Sequence, residues 1–128
     1  ALAPPTHPPF PGGDNNVVVM VDSTPGNVVY SVPVGAGVDS TWCDPSTKFA
    51  FTSNGEAGTV TVAHEDSASL LKVVQTLKTH PGARTMALDP STHTIYLAAT
   101  DYEPQPAGSK GRAKAVVGTF RVLAYQMK

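Results

Sequence analysis

Residues 37–47 read GVDSTWCDPST, and residues 82–92 read GARTMALDPST. The shared Asp-Pro-Ser-Thr recurs forty-five residues on. Each time a Gly stands seven residues ahead of the Asp and a strand-like run follows. An internal period of this size marks a repeat architecture. One supersecondary unit cannot bury its apolar side alone, so it stacks on copies of itself.

Outward from these two segments the chain reads as short strands broken by turns. Val17–Val21 (VVVMV) is apolar throughout, as expected of a strand packed on both faces. Asp22-Ser-Thr-Pro-Gly26 is turn chemistry, and Val28 to Val34 resumes extended character. Val38 to Cys43 follows, closed by Asp44-Pro45. Lys48 to Ser53 then puts Phe49 and Phe51 on one face. Asn54-Gly55 signals a hairpin that Thr59 to Ala63 completes. In Leu70 to Lys78, Leu70, Leu71, Val74 and Leu77 would also fit one face of a helix. The β-branched pair Val73-Val74 and the repeat alignment, which lays this stretch on residues 26–33, favour a strand. The second copy runs Ala83 to Leu88, Asp89-Pro90, Thr94 to Ala99 and Gly118 to Gln126. It carries an insertion at 100–117, rich in Pro, Gly and Lys, of the kind that forms a surface loop.

Two, four and three strands result, about nine in all. The expected fold class is all-β: a partial β-propeller of four-stranded antiparallel blades. Residues 17–34 would form half a blade, 38–78 a full blade, and 83–128 a three-stranded blade with the insertion. Residues 1–16 hold five of the twelve prolines, which resist regular pairing. They read as an extended arm or linker, or as the leftover of a longer chain.

A chain of 128 residues fits one domain with a core of its own. Its net charge of −1, with acids and bases scattered, gives no footprint for nucleic acid or an anionic membrane. The basic cluster Lys110-Gly-Arg112-Ala-Lys114 reads as a solvated loop. Cys43 is the only cysteine, so no intrachain disulfide forms. No apolar stretch approaches the ~20 residues that span a bilayer. The chain starts at Ala, which reads as a processed or truncated product.

The series VVVMVDSTPGNVVYSVPVG, GVDSTWCDPSTKFAFTSNGEAGTVTVAHED and GARTMALDPSTHTIYLAATD resembles the YVTN-repeat (YncE-like) β-propeller proteins over residues 17–128. The likeness lies in the order strand, Asp-turn-Gly, strand, Gly, strand, Asp-Pro turn, strand, Asn-Gly. Such proteins have about seven blades. The resemblance therefore implies the C-terminal portion of a propeller whose unpaired ends favour self-association. It also suggests a periplasmic or secreted setting.

Function is less sharply marked. The resemblance implies a module that binds a small polar ligand or partner at its channel rim and loops. The alternative is a hydrolase that opens small lactones with a divalent cation such as calcium. Asp39 and Arg84 occupy equivalent positions, two residues after the repeat Gly, where the innermost strand begins. They would orient a polar substrate, or else form an ion pair between blades. His64-Glu65-Asp66 lies at the expected end of the third strand. It supplies an imidazole and two carboxylates, donors that suit a divalent cation. Neighbouring strand residues point to opposite faces, so convergence of all three requires a bend. In the hydrolase reading Asp39 and the His64-Glu65-Asp66 cluster are candidate metal ligands or bases, and Arg84 stabilises the oxyanion. Asp44 and Asp89 read as turn formers, Cys43 as a small buried hydrophobe, and Trp42 and Tyr96 as inter-blade packing. His7, His80 and His93 show no metal spacing.

Overall fold

In a computed structural model of the chain, residues 12–13, 15–21, 28–67, 70–104, 108 and 114–126 are described. None of these is helical. Ten strands occur: β1 (Gly12–Gly13), β2 (Val17–Val21), β3 (Val28–Pro33), β4 (Val38–Asp44), β5 (Phe49–Asn54), β6 (Thr59–Ser67), β7 (Leu70–Lys78), β8 (Met86–Asp89), β9 (Thr94–Ala99) and β10 (Arg121–Gln126). They form three antiparallel sheets in the orders β1-β2-β3, β4-β5-β6-β7 and β10-β9-β8. The fold is all-β and has the form of a partial β-propeller, with one complete four-stranded blade between two incomplete ones.

The sheets stack face to face because alternate residues of the middle sheet are apolar on both sides. On one side Ala50, Ala63 and Leu71 pack against Val18, Met20 and Val32 of the first sheet. On the other, Phe51, Val60 and Val62 pack against Met86, Ile95 and Leu97 of the last sheet. Full burial of each large side chain contributes roughly 1.5–3 kcal/mol. A sheet with one neighbour gains this on one face only, and an isolated sheet on neither. The strands β4 and β8 lie side by side at one edge of the stack, and β3 and β7 at the other.

The repeat extends to backbone detail. Gly37 and Gly82 both have left-handed φ, at 78° and 86°. A Cβ on Gly37 would stand 2.5 Å from the Glu56 backbone nitrogen, so the position excludes any other residue. Lys48 and His93, each four residues after the repeat Asp, are also left-handed, at 61° and 52°. The register slips between Met20 and Val21, where Val29 is the extra residue. It slips again between Val62 and Ala63, where the extra residue is Val74, forty-five positions on.

Leu70–Lys78 is a strand, as the repeat alignment implied. Other details depart from the sequence reading. β6 runs on to Ser67, so His64-Glu65-Asp66 belongs to the last four residues of the strand, which does not stop at Ala63. The second copy's first strand begins at Met86 and its last at Arg121. At Asn54-Gly55 the turn spans four residues and its left-handed glycine is Gly58. Asn54 itself is buried and donates its side-chain amide to Thr59 and Thr61. Gly12–Gly13, within the expected arm, pairs with Val17 and Val18. Residues 1–11 and 14 of the expected arm, the expected turn at 22–26 and most of the basic cluster lie outside the described residues. The insertion is anchored by a bridge between Tyr102 and Ala115.

Candidate functional site

Four features bear on function: the β4–β8 edge, the His64-Glu65-Asp66 run, a clasp between the two repeats, and a groove beside it.

At the edge, Asp39 and Arg84 are both exposed. A bulge in β4 inserts one residue between Val38 and Thr41 and so re-aims Asp39 and Ser40. The Ser40 hydroxyl donates to Asp39 Oδ2 at 3.3 Å. Arg84 lays its aliphatic stem across Gly55, where a Cβ would collide with Arg84 Cγ. Ser53 Oγ donates to the Arg84 carbonyl at 2.5 Å and fixes the backbone there. Among the described residues no ion pair joins Asp39 to Arg84, so the inter-blade pair offered by the sequence does not form.

The run on β6 obeys strand alternation. His64 Nδ1 lies 2.6 Å from Asp66 Oδ1, on the side where His64 meets the edge of Phe49. Glu65 points through the sheet and is buried among residues facing the first sheet. Its Oε2 has no hydrogen-bond partner among the described residues. The three side chains do not converge. Among the described residues no three His, Cys, Asp or Glu side chains gather in a metal-binding cluster. β6 pairs with β7 to Ser67 with a register slip at Asp66, and that slip leaves Glu65 buried on the face opposite to the His64–Asp66 pair.

Sequence reasoning passed over the clasp. Asp44 is fully buried, and it accepts hydrogen bonds from Ser46 N at 3.0 Å, Ser46 Oγ at 2.7 Å and His93 Nδ1 at 2.6 Å. Burial opposes its ionisation, yet the Ser46 hydroxyl and His93 bonds hold its carboxyl below the ordinary carboxylate value. Asp89 repeats the same turn, with Ser91 N at 3.0 Å and Ser91 Oγ at 2.6 Å. The period relates His93 to Lys48, forty-five residues earlier, but carries no signal that His93 meets the Asp of the preceding copy. A second charged cluster, His80–Asp101–Arg121, ties the base of the insertion to β10, at 2.8 and 3.0 Å.

An open groove of about 770 Å³ runs between the middle and last sheets. It is lined by Phe49, Phe51, Leu77, Ile95 and Tyr125, with His93 among its walls. It exists because the last sheet ends at β10, whereas the middle sheet continues to β7. On the opposite side of the middle sheet, burial first, then Glu65 and Asp44, pushes the Cys43 thiol up to about 11. That removes it as a nucleophile near neutrality.

Neither a protein-family model nor a curated protein matches the chain.

Proposed function

We propose that the chain is a β-propeller repeat module that binds a small polar ligand or partner at its channel rim. The observation that carries this reading is the placement of Asp39 and Arg84. They occupy equivalent positions on adjacent inner edges, are exposed, and are not neutralised by each other. A guanidinium and a carboxylate so placed suit a ligand with both an acceptor and a donor. The kinship with YVTN-repeat propellers and the tendency of incomplete stacks to self-associate belong to the same reading.

Thermal shift against inorganic phosphate, small carboxylates, hydroxy acids and lactones tests it. At least one compound should raise Tm, and Arg84→Ala or Asp39→Ala should abolish that rise. A panel without a hit, or a shift that survives both substitutions, rejects the rim. The hydrolase alternative would use Asp39, Arg84 and Glu65, with a divalent cation on His64, Glu65 and Asp66. Glu65 lies on the opposite face of β6 from the other two, so the binding reading has the better geometric support. Lactone opening measured with and without chelator separates the two.

A further inference from the structure

Among the described residues, the two ends of the stack carry copies of surfaces that are covered at its centre, with no sheet packed on them. In the middle sheet, Trp42, Phe51 and Val62 form one cross-strand row and Ser53 and Val60 the next. The last sheet covers this face. The Trp42 indole donates to the Met86 carbonyl at 2.7 Å, and Phe51, Val60 and Val62 are buried. In the last sheet the same rows are Ala87, Tyr96 and Ala124, then Ala98 and Val122, forty-five residues on in β8 and β9 and further on in β10, which follows the insertion. Among the described residues no sheet packs on them: Val122 is 58% exposed and Tyr96 39%.

The first sheet mirrors this. The pair Ala63–Val73 of the middle sheet packs toward the first sheet. Its counterpart after the matching bulge is Val21–Val28, on the outward side with Val17 and Val19. Val28 is 61% exposed. One end thus repeats the surface that receives a sheet, and the other repeats the surface that is received.

We infer that a second copy of this chain docks head to tail, its β-branched face at Val17, Val19, Val21 and Val28 seated on the Ala87–Tyr96–Val122–Ala124 face. The contact is heterologous, so each copy keeps one free end for the next and the assembly closes into a ring or extends. This deepens the propeller reading above and rests on it. It engages neither Asp39 nor Arg84.

Sedimentation velocity over a concentration series, with Val122→Asp and Val28→Asp, provides the test. Both side chains are exposed, so folding, checked by far-UV circular dichroism, should survive. Wild type should exceed the mass of one chain. Each variant alone should sediment as a pair at most weakly formed, at least tenfold weaker than wild type. An equimolar mixture should regain a tight pair, because one partner keeps the intact giving face and the other the intact receiving face. Wild type that stays a single chain overturns the inference. So does either variant assembling as wild type does, or a mixture no tighter than its components. Rim binding that fails while assembly holds would reject the ligand reading alone.

Discussion

His93 Nδ1 lies 2.6 Å from Asp44 Oδ2 and is the side-chain link by which the second repeat grips the first at its turn. Asp44→Ala would leave a cavity at a fully buried position and take the acceptor from the Ser46 N–H, the Ser46 hydroxyl and the imidazole. Such losses cost about 2–3 kcal/mol. His93→Ala, at a partly exposed partner, should cost about 1 kcal/mol. The double variant should lose less than the sum, by about 0.5–1 kcal/mol, because the two groups share one bond. Urea unfolding followed by Trp42 fluorescence measures all three.

Stability should fall in acid. Asp44, Asp89 and Asp101 all sit below the ordinary value of 3.8: Asp44 despite its burial, Asp89 through Ser91, and Asp101 chiefly through the Arg121 hydrogen bond. Between the folded and ordinary values the unfolded chain binds more protons. The stabilisation is therefore complete above about pH 5 and is lost as pH drops through about 4 and below. Urea midpoints between pH 7 and pH 3 should show this decline, and Asp44→Asn should flatten it.

Cys43 should resist thiol reagents in the folded state. With its value near 11, about one molecule in a thousand carries a thiolate at pH 8. Labelling by a disulfide reagent should be slow in buffer and complete in urea. Glu65→Gln removes one of the charges that raise the value, so it should quicken labelling without unfolding the protein.

Two left-handed glycines should differ in their tolerance of alanine. Gly118→Ala meets nothing within 4 Å and bears only the backbone strain, about 1 kcal/mol. Gly37→Ala adds a clash with the Glu56 backbone and should cost 2 kcal/mol or more, about double. Thermal unfolding of the two variants ranks them.

Much of the fold was legible in the residues. The period, the Asp-Pro turns and the β-branched runs place most strands within a few residues, and the repeat decided Leu70–Lys78 where local periodicity was ambiguous. The opposed directions of His64 and Glu65 also followed from strand alternation. The bulge at Asp39–Ser40 was not legible, because one extra residue leaves no mark in composition. Nor was the His93–Asp44 clasp, whose members stand 49 positions apart and meet only once two sheets have stacked. Asn54 was read as a turn residue, yet its buried amide serves the neighbouring threonines. The same side chain satisfies either setting, and only packing decides between them.

The matched bulges at Val29 and Val74 carry one last implication. An extra residue increases the local twist of a strand pair, and here it stands at equivalent positions of the two outer strands β3 and β7. Deleting either residue would remove the slip and relax the twist of that strand pair.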